Sequence, residues 1–424
     1  MEATSIRRQR GAAALITTLM LFFVMTLVAA FANRNHIFEQ RASANQVRAT
    51  QALEAAEAGT EWAVAMLNSA QPIDDHCIAT NADGARSFRE RYLSANRASG
   101  MQSPSTWTQD GKATALQAAC VRDGNGWRCS CPSGAAPSLT APPTSTPQAA
   151  FTIHFAAASQ PGAVQLLATG CSSLGGECLS EGSTRADAVV HVQVLLGLVA
   201  GLSTPPIAPL TVKGSVDAST AAVGLSNASA ESGGATVHAG SQVNAPNARL
   251  STVAGGAVAL STIDGDDTLH AMNSDRFFAS FFGIDKTLWQ QQADVTHLRC
   301  SGDCAAALSQ VIGNASAHRL IWIDGDAQLG SAVTLGTPQR PVIIIADGAI
   351  TLSAAVTIHG LVYASNLAWN HAAAGTASLH GAAISEGDYQ GDAAPDFVYD
   401  GAVLSSLKTS TGSFARVPGS WRDF

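Results

Sequence analysis

Charge is scarce in this chain. Only 13% of its 424 residues are Asp, Glu, Lys or Arg, and the formal balance is -8. Neutralising nucleic-acid phosphates takes clustered Lys and Arg. No basic patch occurs beyond the first ten residues, so no nucleic-acid partner is expected. The marks of catalysis are missing too. There is no Gly-x-Ser-x-Gly elbow, no His-Glu-x-x-His helix and no phosphate-binding glycine loop. The expectation is a protein without enzyme activity and without a cofactor.

What the chain does have is one long uncharged run. Arg7, Arg8 and Arg10 are followed by residues 12–32, mostly apolar and unbroken by charge. At a rise of about 1.5 Å per helical residue, the run is long enough to cross the hydrocarbon of a bilayer. With Glu2 the only acid on that side, the arginines predict a cytoplasmic N-terminus and a chain that continues outside the cytoplasm. A cleaved secretory signal has a shorter apolar region and a small-x-small site backed by polar residues. This run lacks such a site and flows directly into a polar helical pattern, so a retained span is favoured.

Residues 33–68 are helix formers without proline. Ala42, Ala49, Ala52, Leu53, Ala56, Ala63 and Leu67 recur at spacings of three, four and seven, which predicts one buried face. Glu39, Arg41, Arg48, Glu54, Glu57 and Glu61 are left for solvent or partner helices. Gln71-Pro72 predicts the stop.

Two pieces of this helix resemble a known family. Arg10-Gly11-Ala12-Ala13-Ala14-Leu15-Ile16 resembles the type III signal of type IV pilins and type II secretion pseudopilins. Ala52-Leu53-Glu54-Ala55-Ala56-Glu57-Ala58-Gly59 resembles a block found at the same offset in PilX-type minor pilins. Together they cover the N-terminal stretch to about position 65. The resemblance implies that a prepilin peptidase cuts after Gly11 and leaves Ala12 as the first mature residue. It makes Leu15, Ile16, Leu19, Leu53 and Glu57 part of an assembly helix. The implied partners are other minor pilins, the major pilin, the peptidase, the inner-membrane assembly platform and a large tip adhesin. The implied location is the inner membrane before assembly and the pilus or cell surface afterwards. Most members carry glutamate at the fifth mature position, which is Ile16 here. Its absence is shared with PilX-type proteins and with the tip pseudopilin of type II secretion, and it suits an initiating or tip subunit. The tip pseudopilin, and an adhesin that stays in the membrane, are the alternative readings.

Eight cysteines, Cys77, Cys120, Cys129, Cys131, Cys171, Cys178, Cys300 and Cys304, all follow the span. In an oxidising compartment they are candidates for disulfides. Cys171/Cys178 and Cys300/Cys304 are close enough to close small loops. Cys77 and Cys120 would pair with or around Cys129 and Cys131, in a connectivity that stays open. Cys129-Ser130-Cys131 as a metal or redox element lacks a second ligand pair at zinc spacing.

The expected class is α+β: a long N-terminal pilin-like helix, a disulfide-stapled α+β head, then a β-rich domain wound as a solenoid or folded as a sandwich. The divisions are a leader at 1–11, the helix at 12–70 with its span at 12–32, and the head at 71–202. A proline-rich linker at 203–209 and the β-rich domain at 210–424 complete them. Strands are expected at 150–156, 164–169 and 187–198, with a loop at 132–147. Beyond the linker, β-type runs fall at 209–216, 235–238, 249–253 and 257–261. A more helical stretch follows at 275–308. Further runs lie at 320–323, 333–335, 341–346, 349–352, 356–364, 377–379 and 382–385. No fixed period links them. Asp264-Gly265-Asp266 and Asp324-Gly325-Asp326 read as turns in preference to calcium loops. His359, His371 and His380 lack acidic partners in register for a metal. Trp421 with Phe424, and Tyr389 with Tyr399, are expected to pack.

Overall fold

The computed structural model describes residues 10–96, 99–140, 148–174, 178, 188–313, 319–370 and 377–423. Arg7, Arg8, Gln9, His371 and Phe424 lie outside them, as does part of the 132–147 loop. Helix α1 (Arg10–Leu67) runs unbroken through 58 residues. Its first part is exposed on all sides, while Ala52, Ala55, Ala56, Ala63 and Leu67 are buried. Ala42 and Ala49, expected on the same buried face, are exposed. Helical periodicity marks a face, but the head reaches only the last four turns of it.

Three small hairpins follow: β1–β2 (Pro72–Ile73, Arg86–Ser87), β3–β4 (Leu93–Ala95, Gln102–Pro104) and β5–β6 (Thr106–Gln109, Lys112–Ala115). Helix α2 (Phe88–Tyr92) begins at a capping box between Ser87 and Glu90. The head sheet is antiparallel. It contains β7 (Gln117–Asp123), β8 (Gly126–Ser130), β9 (Ala150–Ala157), β10 (Ala163–Cys171) and β11 (Val189–Ala200). These strands alternate buried and half-buried positions, and the buried set packs on α1.

The next stretch is a solenoid in which every described strand pair is parallel. Its first rungs are β12–β14 (Leu210–Val212, Val216–Asp217, Gly224–Ser226) and β15–β17 (Val237–Ala239, Val243–Asn244, Arg249–Ser251), then β18 (Thr262–Ile263). Helices α3 (Asp267–His270), α4 (Ser274–Phe282) and α5 (Lys286–Gln290) lead to β19 (Val295–Leu298) at the far end. After α6 (Ala305–Gly313) the chain winds back through four more rungs. They are β20–β22 (Leu320–Ile323, Ala327–Leu329, Val333–Leu335), β23–β24 (Val342–Ala346, Ile350–Leu352), β25–β26 (Val356–Ala364, Leu367–Trp369) and β27–β29 (Ser378–Ser385, Tyr389–Gly391, Asp396–Tyr399). The last rung then pairs with the first: Leu210 lies opposite Ala383, Val216 opposite Tyr389, Gly224 opposite Asp396. The solenoid therefore begins in its own middle. Steps between rungs are uneven. Leu320 lies opposite Ile343, Ile343 opposite Leu361 and Leu361 opposite Ala382, each step of a different length. That unevenness accounts for the missing period.

Of the two β architectures expected, the parallel ladders make this a solenoid. Its broad sheet is covered on both faces. Val342, Ile344 and Ala346 point to the inner core, and Ile343 and Ile345 to a second cluster with Phe277, Phe278, Phe282 and Trp289 of α4 and α5. A continuous apolar run such as Val342–Ala346 is what a parallel strand buried on both sides requires. The inner core is closed at the β19 end by Leu308, Val311 and Ile312 of α6.

Two further expectations change. Residues 257–261 are a 3-10 turn over Val258–Leu260, with Leu260 82% exposed, and it is Ser261 that bonds to Thr236 beside the neighbouring rung. The C-terminal segment does not stay in the β-rich domain. After α7 (Gly401–Ser410), strands β30 (Gly412–Arg416) and β31 (Arg422–Asp423) both pair antiparallel with β11 of the head. The solenoid is thus an insertion in the head sheet. The reason is the free edge of β11, twelve residues long, which β30 and β31 complete.

Candidate functional site

The residues expected to carry function are strung along α1; they do not converge in a cleft. Gly11 and Ala12 lie in its first turn. Leu15, Ile16 and Leu19 are more than half exposed, as are Met20 to Met25, and residues 13–67 form a helix with an 18-residue window of mean hydropathy 2.4. That is long and apolar enough to cross a membrane. Leu53 is half-buried against the head and Glu57 is exposed.

What seats the upper part of α1 is a missing side chain. At Gly170, the last residue but one of β10, a Cβ would stand 2.0 Å from the Ala52 carbonyl oxygen and 2.3 Å from the Ala56 nitrogen. Glycine there lets helix and sheet backbones touch, with alanines opposite. Aromatics fill the flanks: Trp62 meets Phe88 edge-on at 5.3 Å, and Trp127 meets Phe151 at 4.7 Å. Gly170 was missed because a single glycine in a strand run is also what a bulge looks like.

The opposite side of α1 is open. Glu54, Glu57 and Glu61 are exposed there, with a groove on either flank. One, of about 380 Å³, is bounded by Arg122, Trp127 and Gln148. The other, of about 490 Å³, is bounded by Arg416 and Trp421, with Arg416 paired to Glu61. Ala58 lines both. Trp421 is 37% exposed, with the Arg416 guanidinium 5.9 Å from its ring, and it walls the second groove.

The cysteines form four disulfides, Cys77–Cys131, Cys120–Cys129, Cys171–Cys178 and Cys300–Cys304. Cys129 and Cys131 go to different partners, which leaves no thiol pair for a metal. Gly265 and Gly325 have φ of 61° and 91°, as turns demand. Asp266 caps α3 and accepts from His238 at 2.8 Å, and Asp324 accepts from Arg299 at 3.0 Å. Their carboxylates are committed to these bonds. His359 and His380 stack at 4.8 Å on adjacent rungs, and burial holds His359 below its ordinary pKa. Tyr389 is buried against Phe397.

Where head and solenoid meet, charges are drawn out of solvent, Arg89 and Asp294 furthest, to side-chain exposures of 15% and 12%. Arg89 of α2 lies 3.9 Å from Asp294 and donates to the Gly412 carbonyl at 2.7 Å. Arg319 donates to the Ser410 carbonyl at 2.7 Å, and Glu90 pairs with Arg340. Burial pushes the Asp294 carboxyl up to about 6, against the pull of Arg89 and Arg319. Burial likewise brings Arg319 down to about 10. A carboxyl that holds its proton more tightly when folded adds stability below its unfolded pKa, and that stability is lost as pH rises through the folded value. Asp294 should therefore cost about 2 kcal/mol on going from pH 4 to pH 7. In Asp294→Asn this slope should vanish, as denaturant midpoints across that range would read; an unchanged slope would assign the dependence elsewhere.

Residues 10–61 match the family described as PilX N-terminal. Among solved structures, the chain is similar to the competence-associated pilin ComZ from Thermus thermophilus at 13% identity. That alignment covers 89% of this chain and 97% of the other, with a TM-score of 0.20. A search of curated proteins found no match. The family match falls on the stretch of α1 that runs from Arg10 to the seat beneath the head. Over those residues the chain is similar to the PilX N-terminal family.

Proposed function

We propose that the protein is a minor pilin that takes part in priming and assembling a type IV pilus, at or near its tip, and carries its solenoid outward. The observation behind this reading is the continuity of α1. One rigid helix joins an apolar part, exposed on all sides, to a part fixed under an antiparallel head. Such a helix can rest in a bilayer as a single span and then pass into the core of a filament without rearranging the head. Uncharged Ile16 favours the tip. The partners are then other minor pilins, the major pilin, the inner-membrane platform and a tip adhesin, with a prepilin peptidase acting at Gly11. The role is structural, not catalytic.

The test is the N-terminus. Protein from cells with active prepilin peptidase should begin at Ala12, and Gly11→Val should remain unprocessed and abolish surface pili and twitching. A chain that still starts at Met1, or normal piliation in the variant, would remove the filament reading and leave a membrane-anchored adhesin.

A further inference from the structure

We infer that the β15–β17 end of the solenoid is a seat for an extended strand of a partner protein, apolar on one side and carrying Lys or Arg, which supplies the half rung that this chain leaves out. The inference concerns the solenoid alone and stands apart from the filament reading.

The two ends of the solenoid differ. At the β19 end, Leu308, Val311 and Ile312 of α6 close the inner core. At the other end the last rung is incomplete. Strand β18 covers β15 but is only two residues long, pairing with Val237 and His238. The Gly265 nitrogen then donates to the Ser241 carbonyl at 3.0 Å, and the chain turns away into α3. Among the described residues, β16 and β17 are left with one neighbour each, β13 and β14. Terminal repeats of a solenoid are ordinarily capped, because an open strand edge and an open core both invite another chain.

The core is open there too. A cavity of about 310 Å³ is floored by buried Leu225 and Val237 and walled by half-buried Val243, Ala248 and Leu250. The turn between β17 and β18 adds Val258 and Leu260, 42% and 82% exposed. Backbone groups face the same way. The Gln242 and Asn244 carbonyls accept from the Val216 and Ala218 nitrogens, so Val243 between them turns its own N–H and carbonyl to the open side. An added strand would lie at the usual spacing of about 4.8 Å, bonded to β16 and β17 through its backbone and filling the cavity with alternate side chains.

Charge selects the strand. Asp264 is the one charged residue in the cavity lining. Asp217, beside Asn244 in register, and Asp267 are exposed, and none of the three has a basic partner among the described residues. Arg249 is already held by Asp396 and the Ala222 carbonyl. A strand with Lys or Arg is therefore favoured over an acidic one.

The probe is a dye-labelled peptide of about nine residues, the length of 243–251, with valine and lysine alternating on either side of a Gly-Asn-Gly corner. Its fluorescence anisotropy is read against the detergent-solubilised full chain. Saturable binding is expected, weakened about tenfold when glutamate replaces lysine and again when alternate peptide amides are N-methylated. Asp264→Lys, at an exposed position, should reverse the preference between the lysine and glutamate peptides. Val243→Pro removes only an outward N–H, which an edge strand tolerates, and should abolish binding; should that variant not fold, Asp264→Lys carries the test. Equal binding of the lysine and glutamate peptides, indifference to N-methylation, or an unchanged preference in Asp264→Lys would each overturn the inference. Sedimentation of the same samples reads the other occupant: self-association of the full chain that Asp264→Lys abolishes would assign this end to a second copy and overturn it as well.

Discussion

Gly170→Val should detach α1 from the head. The new Cβ would fall within 2.0 Å of the Ala52 carbonyl oxygen and 2.3 Å of the Ala56 nitrogen, both backbone atoms. No rotamer change relieves a clash with backbone, so either the helix lifts or β10 bends. Lifting the helix uncovers Ala52, Ala56, Ala63 and Leu67 and loosens Phe151 and Trp62 behind them. The cost should reach about 3 kcal/mol or more, the upper part of the overpacking range. Gly170→Ala already places the offending atom and should share most of the effect. Gly126→Ala, whose Cβ would meet nothing within 4 Å, is the matched control. Denaturation of the detergent-solubilised full chain, followed by Trp fluorescence, would show it, together with proteolysis at residues 51–70. A Gly170→Val protein as stable as the Gly126→Ala control would mean that the helix is not seated through β10.

Breaking Cys77–Cys131 should be the costliest disulfide loss. It closes a 54-residue separation, against 9, 7 and 4 for the others. A loop of that length restricts the unfolded chain by about 4 kcal/mol, and the short loop of Cys300–Cys304 by only about 2 kcal/mol. The bridge also pins a polar corner. Buried Arg91 donates to the carbonyls of Cys131 and Ile73 and to Asp75 at 2.8 Å, and the Cys131 nitrogen donates to the Asp75 carbonyl at 2.7 Å. With Cys77 and Cys131 both changed to alanine, the guanidinium would lose its fixed acceptors while still buried. Urea midpoints of the double variants should rank in that order. Equal losses for the two pairs would show that chain restriction is not what these bridges contribute.

Much of the local structure was legible in the sequence. Helix α1 was, because an unbroken series of helix formers without proline leaves no competing conformation. Strands at Leu320–Ile323, Val333–Leu335 and Val356–Ala364 fall where the apolar runs and flanking turns put them. The order in which those strands stack was not. Parallel ladders join residues as far apart as Leu210 and Ala383, and no local pattern encodes that. The return of β30 to β11 is equally non-local. At the candidate site, the Glu and Arg positions of α1 could be read as available for partners, but which of them turn away from the sheet needed the head to mark one side. Arg89, Asp294 and Arg319 were invisible for a different reason. A charge looks solvated in a sequence until a second domain closes over it.

The solenoid's double attachment has a mechanical meaning. Its chain leaves the head at Ala200 and returns at Gly412, paired residues at one end of the β11–β30 ladder, where the Gly201 nitrogen donates to the Thr411 carbonyl at 3.0 Å. Tension applied to the solenoid would draw both strands the same way, so their shared hydrogen bonds would not be sheared. The load would fall instead on the nine-residue ladder between β10 and β11, whose bonds would have to break together, beneath which α1 is anchored. A domain held by one strand would peel away bond by bond; this mount would carry a pull from the outer surface into the long helix.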